Sequence, residues 1–142
     1  MLYQFFGGVH PAEHKDLTEH KATAPLAQAP KQVVIPMSMH IGAPCKPVVA
    51  VGDQVKVGQL IGETTGLGAP IHASVSGKVT AVEPRPFGNG GSMMSVVIEN
   101  DFQDTPDPSI KHRDNVDALT GAEIIEIVKN AGITGMGGAG FP

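Results

Sequence analysis

A glycine-rich run at residues 135–142 is the first candidate for binding chemistry. It reads Gly-Met-Gly-Gly-Ala-Gly-Phe-Pro, and Gly135, Gly137 and Gly140 have the spacing of a dinucleotide-binding fingerprint. That fingerprint follows a strand and opens a helix, whose N-terminus meets the phosphate. Here a predicted helix precedes the run, which disfavours a Rossmann site. Two interpretations stay open: a cradle of backbone amides for a phosphate, completed by residues outside this chain, and a flexible connector.

Two histidine features could hold a metal or carry a proton. The segment from His10 to His14 has the His-x-x-Glu-His spacing of inverted zinc peptidases, which places both histidines on one helical face. Pro11 permits this only if a helix starts there, so capping, turn or surface roles are favoured. His72 could be phosphorylated or shuttle protons, but a hydrogen-bonded structural histidine is the favoured interpretation. Three further histidines show no ligand spacing: His20, His40 and His112.

The sequence offers few residues for cysteine chemistry or for acid–base catalysis. The single cysteine, Cys45, excludes an internal disulfide and a multi-cysteine metal or iron–sulfur site within these residues. We interpret it as a small apolar side chain. No Ser–His–Asp arrangement and no pair of carboxylates stands out. The sequence therefore predicts no catalytic residue and no metal ligand here.

Composition predicts a β-rich scaffold for these residues. The 142 residues include 18 Gly and 12 Pro, which both interrupt helices. Apolar residues make up 41% and charged residues 17%, so the chain is not a disordered tail. A net charge of −4 without a basic run disfavours nucleic-acid binding. No stretch approaches the ~18 apolar residues of a membrane span, so we expect any membrane association to come through partners.

The region 31–100 contains short β-branched runs separated by Gly, Pro, Asp and Asn, the pattern of strands and turns. Turn signals every 8–12 residues or so are typical of a sandwich or barrel. Residues 1–30 are predicted to be an N-terminal arm, with a possible strand at Tyr3–Phe6. The tripeptide Gly-Ala-Pro occurs at 42–44 and again at 68–70, which indicates either an internal repeat or coincidence. The predicted strands are Val33–Ile35, Val48–Val51, Ser74–Val75, Val79–Val82 and Ser95–Ile98.

The C-terminal part is predicted to be a linker, a helix and the glycine run. Residues 101–119 are acidic and contain proline, as linkers do. Thr120 and Glu123 then have capping-box spacing, and the segment 130–132 supplies a helix stop. We therefore interpret residues 120–142 as the opening of a second, truncated α/β domain. The apolar face of its helix consists of Ile124, Ile125, Ile127, Val128 and Ala131.

A longer pattern, Gly-Asp-x-Val-x-x-Gly-Gln-Leu-Ile at 52–61 followed by 73–79, resembles the barrel-sandwich hybrid fold of biotinyl and lipoyl domains. In carrier domains of that fold, a lysine lies at the hairpin tip between these halves. The matching region here, Thr64–Gly68, contains no lysine. The resemblance therefore implies a structural or docking module rather than a covalent carrier of biotin or lipoate.

Four further stretches, at 7–15, 40–44, 82–86 and 135–142, resemble the N-terminal part of the RnfC family, the C component of the Rnf electron-transport complex. That complex is a membrane-bound ferredoxin:NAD oxidoreductase that moves ions. The resemblance implies a mainly β barrel-sandwich hybrid module at 31–100. It also implies that 120–142 begins an NADH/FMN-binding domain similar to the flavoprotein subunit of respiratory complex I.

The same resemblance implies cofactors and partners. The family's glycine loop contributes to the flavin and NADH site, and glycine lets backbone amides approach a phosphate closely. Its iron–sulfur cysteines lie further downstream, so FMN, NADH and 4Fe-4S clusters are expected for the full-length protein and no cofactor for this chain alone. Expected partners are the other Rnf subunits, ferredoxin and NADH, at the cytoplasmic face of the bacterial inner membrane. The implied cofactor-binding residues are Gly135, Gly137, Gly138, Ala139, Gly140 and Phe141.

Two other functions stay open at this point. One is a swinging-arm carrier or phosphocarrier of similar fold, modified at a lysine or at His72. The other is an interaction adaptor without a redox role. In each case the chain by itself is predicted not to be catalytic, although the Rnf complex is a redox enzyme.

Overall fold

Short and long strands make the chain mainly β, as predicted. The computed structural model describes residues 7, 11–24, 28–88 and 90–142, so the possible strand at Tyr3–Phe6 lies outside the described residues. A 3₁₀ turn at Val116–Ala118 precedes one helix, α1 (Gly121–Asn130). The strands are β1 (Gln32–Pro36), β2 (Lys46–Pro47), β3 (Gln54–Val55), β4 (Leu60–Glu63), β5 (Ile71–His72), β6 (Gly77–Pro86) and β7 (Ser92–Asn100).

The strands form two antiparallel sheets. The larger has the order β1-β7-β6-β3 and the smaller β2-β4-β5. β6 and β7 pair along their whole length, from Gly77 opposite Asn100 to Pro86 opposite Ser92. The register shifts within β6 after Val79 and within β4 after Leu60. Such bulges bend strands and increase their twist, which lets short sheets curl around one core.

The core lies between the sheets and, among the described residues, contains no buried aromatic side chain. Small and medium aliphatic side chains fill it because no aromatic residue occurs between Phe6 and Phe87. Met37 is fully buried and joins them. Sulfur-containing and β-branched side chains can pack two closely spaced sheets without rings. The core cluster is Ile35, Met37, Cys45, Val55, Ile61, Ile71, Ala73, Val79, Val96 and Ile98.

Three of the five predicted strands are confirmed, as β1, β6 and β7, and two predictions are wrong. Residues 48–51 form no strand, because Ala50 and Asp53 close a turn there. The Ala50 N–H donates to Asp53 Oδ2 at 2.8 Å, and the Asp53 N–H donates to the Ala50 carbonyl at 3.1 Å. Residues 74–75 form a bend between β5 and β6. β-Branched composition alone did not separate strands from these turns.

Residues 101–110, the first part of the predicted linker, lie against the β module (residues 31–100). The Ser76 hydroxyl donates to Asp101 Oδ1 at 2.6 Å and accepts from the Thr105 N–H at 3.0 Å. The Val57 N–H donates to the Thr105 carbonyl at 2.9 Å, and the Asp107 N–H donates to the Val57 carbonyl at 2.8 Å. The Ser76 hydrogen bond lowers the pKa of Asp101, since it favours the ionised carboxylate.

Helix α1 begins and ends as predicted. Thr120 and Glu123 form the full capping box: Thr120 Oγ1 accepts from the Glu123 N–H, and the Thr120 N–H donates to Glu123 Oε2 at 2.8 Å. At the other end, the Gly132 N–H donates to the Lys129 carbonyl and the Ile133 N–H to the Val128 carbonyl, the Schellman arrangement. Within the described ranges, no helix has the length and apolar character required to cross a bilayer.

Candidate functional site

The glycine run forms a closed loop immediately after α1. The Gly135 N–H donates to the Phe141 carbonyl at 2.7 Å, which brings the first and last of the six predicted binding residues together. In the middle of the loop, a Cβ added to Gly137 or Gly138 would meet nothing within 4 Å. The loop is therefore closed at its ends by a hydrogen bond, and the space around its middle residues is free of protein atoms.

The middle of the loop offers backbone donors to a ligand. Residues 135–139 are exposed. In the part of the chain that the structure describes, the amides of 136–139 donate no hydrogen bond to another protein group. Successive backbone N–H groups without an internal partner can form an anion-binding concavity. Ala139 belongs to this stretch, whereas Phe141 lies at the closing bond and is largely exposed.

One end of the loop contacts the β module through Gly140. The Ile41 N–H donates to the Gly140 carbonyl at 3.0 Å. Gly140 has φ +68°, and a Cβ there would lie 3.1 Å from the Met39 carbonyl oxygen and 3.2 Å from His40 Cα. Glycine is favoured at this position, because the positive φ is strained for other residues and an added Cβ would press against the backbone of 39–40.

A second contact joins the end of α1 to the β module through Gly132. This residue has φ +69°, and a Cβ there would collide with the Pro70 carbonyl oxygen and lie 3.4 Å from His72 Nδ1. The sequence predicted Gly132 as a helix stop. The structure adds that the same glycine permits close packing of the helix end on the 70–72 segment.

His72 lies at this contact and is half-buried. Burial lowers the pKa of its imidazole, because desolvation disfavours the charged ring. The ring borders a cleft of about 730 Å³, which is also lined by Arg113, Glu126 and Asn130. The ring lies beside Gly132 at the helix end. It forms no hydrogen bond or ion pair with another described residue, so the expectation of a hydrogen-bonded structural histidine is wrong: packing against the helix end holds the ring instead.

His40 is the functional candidate that sequence reasoning missed. Its ring lies between two backbone segments, with Nδ1 at 2.9 Å from the Ile41 carbonyl oxygen and Nε2 at 3.1 Å from the Ala69 amide nitrogen. The Cys45 thiol, whose pKa is raised by burial, donates to the Ala69 carbonyl at 3.1 Å. Only the presence of His40 in the 40–44 stretch singled it out beforehand, because spacing between histidines gave no signal.

The loop at which a carrier lysine would lie is hydrogen-bonded to the neighbouring 42–44 loop, although its residues 65–67 are exposed. Thr64 Oγ1 donates to the Ala43 carbonyl at 3.2 Å, and the Ala43 N–H donates to the Leu67 carbonyl at 2.9 Å. Gly42 also lies directly against the Leu67 carbonyl oxygen. The two Gly-Ala-Pro copies thus belong to loops that contact each other, and the 64–68 loop is not a free-standing hairpin tip.

The zinc-like segment is only partly described, since His10 lies outside the described residues. Glu13 and His14 are exposed, and Glu13 Oε2 forms an ion pair with Lys15 Nζ at 2.7 Å. Across the described ranges, no group of three or more His, Cys, Asp and Glu side chains is arranged to hold a metal ion.

Comparison with known proteins gives a consistent result. A family model, the RnfC barrel sandwich hybrid domain, matches residues 3–103. The C component of the Na⁺-translocating ferredoxin:NAD⁺ oxidoreductase complex of Acetobacterium woodii is 52% identical over 141 residues, which cover 97% of this chain and 31% of that protein. Its counterpart in the proton-translocating complex of Clostridium ljungdahlii is 43% identical over 143 residues, covering 100% and 31%.

A more distant relative extends the range of similarity. The C component of the ion-translocating oxidoreductase complex of Vibrio cholerae is 36% identical over 149 residues, which cover 99% of this chain and 18% of that protein. The chain therefore spans less than a third of the length of these curated relatives. The barrel-sandwich hybrid expectation is confirmed by the family match and by the two curled sheets.

Proposed function

The chain belongs to the RnfC barrel-sandwich hybrid domain family, and from this premise we propose that it is the N-terminal structural and docking part of an RnfC protein in an ion-translocating ferredoxin:NAD oxidoreductase complex. The chain by itself is not catalytic. In the complex it contacts other Rnf subunits, and electrons pass between NADH and ferredoxin. We place it peripherally, at the cytoplasmic face of the bacterial membrane, with the 4Fe-4S clusters held by later parts of the RnfC protein.

Within this role, the glycine loop supplies backbone donors to a flavin or NADH site. The residues fit such a group, because the open middle of the loop would accept a phosphate without displacing any side chain. Gly137, Gly138 and Ala139 would hold the phosphate, while Gly135, Gly140 and Phe141 keep the loop closed and in place. A bound flavin supplies the conversion between hydride transfer and single-electron transfer.

The β module acts as a scaffold and docking element in this proposal. Its interior is a packed aliphatic core, which supports rigid positioning rather than chemistry. A swinging-arm carrier requires a lysine at an accessible hairpin tip. The 64–68 loop has no lysine and is hydrogen-bonded to the neighbouring loop, so the carrier alternative finds no support at its expected site.

The observation that carries the proposal is the open middle of the closed loop, and it allows a sharp test. Because a Cβ added at Gly138 meets nothing within 4 Å, Gly138→Val should leave folding unchanged and obstruct a ligand at the loop. In the intact RnfC protein we expect at least about tenfold weaker binding of FMN or NADH, because the side chain keeps the phosphate from a backbone N–H and so removes one hydrogen bond to a charged group. Retained flavin fluorescence and NADH titration measure it.

The matched control is Gly88→Val, because Gly88 also has open space around it but lies between β6 and β7. This variant should bind both nucleotides as the wild type does. Wild-type affinity of Gly138→Val for both FMN and NADH would contradict a role of the loop in that site. An intact RnfC protein that holds neither flavin nor iron–sulfur clusters would instead support the adaptor function.

A further inference from the structure

We propose that His40 is a positioning residue that fixes the glycine loop on the β module. The inference rests on the proposed function, since it takes the loop as part of the nucleotide site. His40 itself touches neither ligand nor reacting atoms. It acts by holding together the two segments of the β module on which the helix end and the loop are seated.

The His40 ring contacts two backbone segments at once. Nδ1 lies 2.9 Å from the Ile41 carbonyl oxygen, which can only accept, so Nδ1 carries a proton. Nε2 lies 3.1 Å from the Ala69 amide nitrogen and 3.0 Å from the Ala69 carbonyl oxygen, and in the neutral ring protonated at Nδ1 it accepts from the Ala69 N–H. Ala69 is buried and its carbonyl accepts from the Cys45 thiol. Both polar groups of Ala69 are thus satisfied by side chains of the 40–45 segment.

The two segments that the ring joins are the same two that contact the C-terminal part. The 39–41 segment receives Gly140, through the Ile41 N–H and the close approach to His40 Cα. The 69–72 segment receives Gly132, at the Pro70 carbonyl oxygen and the His72 ring. A fixed distance between these segments therefore also fixes the distance between the two contact points, that of Gly140 on 39–41 and that of Gly132 on 69–72.

Ile41 connects the ring directly to the loop. Its carbonyl accepts from His40 Nδ1, and its N–H donates to the Gly140 carbonyl. Without the imidazole, the buried Ala69 N–H loses its acceptor, and a buried donor left without a partner is costly. The least costly response is separation of the 39–41 and 69–72 segments, which admits water and displaces the Gly140 seat.

The test is hydrogen–deuterium exchange on the intact RnfC protein without added nucleotide. In His40→Ala we expect the peptides covering 38–44 and 133–142 to exchange about tenfold faster, the effect of losing one buried hydrogen bond. Peptides of β6 and β7 should keep wild-type exchange. His40→Gln, whose amide oxygen can accept from the Ala69 N–H, should restore much of the protection.

The matched control is His112→Ala. His112 is exposed and contacts Asp114 at 3.4 Å, so its replacement should leave both peptides unchanged. Equal acceleration in the control and in His40→Ala would overturn the proposal, because the effect would then not come from the ring that joins the two seats.

A second pair of variants keeps the proposal testable if His40→Ala fails to fold. Gly140→Ala perturbs the seat from the loop side, where φ is +68° and backbone lies at 3.1 Å. Gly137→Ala adds the same methyl group in open space. If the 38–44 peptide exchanges faster in Gly140→Ala but not in Gly137→Ala, the contact of Gly140 with the 39–41 segment is supported. Identical exchange in both variants overturns it.

Flavin retention separates this inference from the proposed function. If His40→Ala accelerates exchange of the loop and weakens FMN binding about tenfold, both hold. If exchange accelerates while FMN and NADH affinities stay at wild-type values, His40 positions the loop but the loop lies outside the nucleotide site. If exchange of both peptides is unchanged in a folded His40→Ala protein, the positioning role is wrong whatever the affinities.

Discussion

The β module and the C-terminal segment, residues 120–142, use similar apolar residues in opposite ways. In the β module, Ile61, Val79 and Ile98 are completely excluded from solvent between two sheets. In the C-terminal segment, Ile125 is 69% exposed and Met136 97% exposed. One region is therefore held together by burial of side chains, and the other is not.

The difference shows how backbone contacts can stabilise a segment with little burial of its own. Helix α1 depends on its capping box at Thr120 and on the Schellman turn at Gly132. The loop depends on the contact of Gly140 with the 39–41 segment. Short isolated helices are marginal in water, so loss of one such contact should release the segment without unfolding the β module.

The largest expected effect comes from matched truncations in the two regions. Ile61→Ala should lower the free energy of unfolding by about 2–5 kcal/mol, because it removes buried methyl groups and leaves a cavity. Ile125→Ala should change it by less than about 0.5 kcal/mol, since the side chain is exposed. Urea denaturation measures both values. A comparable loss in Ile125→Ala would mean that its face of α1 is covered in solution.

A smaller effect is expected where the two regions meet. In Gly132→Ala, a positive φ and the contact with the Pro70 carbonyl oxygen should destabilise the helix end by more than about 1 kcal/mol. Amide exchange in α1 should then accelerate by about tenfold, while β7 stays protected. The control is Gly52→Ala, where φ is +101° but nothing lies within 4 Å.

The control variant, Gly52→Ala, should strain only the turn that contains residue 52 and leave amide exchange in α1 at wild-type rates. If instead Gly132→Ala lowers the denaturation midpoint of the β module as strongly as Ile61→Ala does, the two regions unfold as one unit. The β module and the C-terminal segment would then differ in the burial of their side chains but not in their stability.

Local sequence signals predicted the elements that are determined locally. The capping box at Thr120 and the stop at Gly132 depend on neighbours within a few residues, and β6 and β7 each contain a local run of β-branched residues. The errors arose at Val48–Val51 and Ser74–Val75, where β-branched residues lie in turns. There, a hydrogen bond from the Ala50 N–H to the Asp53 carboxylate and the path of the chain between the sheets override β propensity.

The candidate site was only half predictable for a similar reason. Glycine spacing singled out Gly135, Gly137 and Gly140, the family resemblance implied all six loop residues, and that assignment stays a prediction. His40 could not be found from spacing, because its partner Ala69 is 29 residues away and is contacted through backbone atoms. Backbone partners leave no pattern of residue types, so only the fold brings this histidine to the loop.

A still smaller effect is expected from the helix cap. Thr120→Ala should destabilise α1 by about 1 kcal/mol, because the Glu123 N–H loses its acceptor. Circular dichroism at 222 nm and exchange in the first turn of α1 measure this. The pKa of Glu123, which the Thr120 hydroxyl and N–H now lower, should rise toward its ordinary range. Thr65→Ala, in an exposed loop, is the control, and unchanged helix content in both variants would refute the capping contribution.

The smallest effect concerns pH and the His72 ring at the contact between the regions. Burial lowers the pKa of His72 below its ordinary value of 6.5, so the folded chain resists protonation there. As the pH falls below that value, the unfolded chain binds the proton first, and the free energy of unfolding decreases until the folded ring is also protonated. This part of the stability is therefore complete at neutral pH and lost on acidification.

His72→Gln should flatten the decrease between neutral pH and mildly acidic pH, as measured by urea denaturation at a series of pH values. His20→Gln, which changes an exposed ring, should keep the wild-type curve. Because the His72 ring lies beside Gly132, the acid-induced loss should appear first as faster exchange at the end of α1. Simultaneous loss of protection in β6 and β7 would show that protonation of His72 destabilises the core. Protonation would then affect the β module and the C-terminal segment together, which contradicts the separation of the two regions.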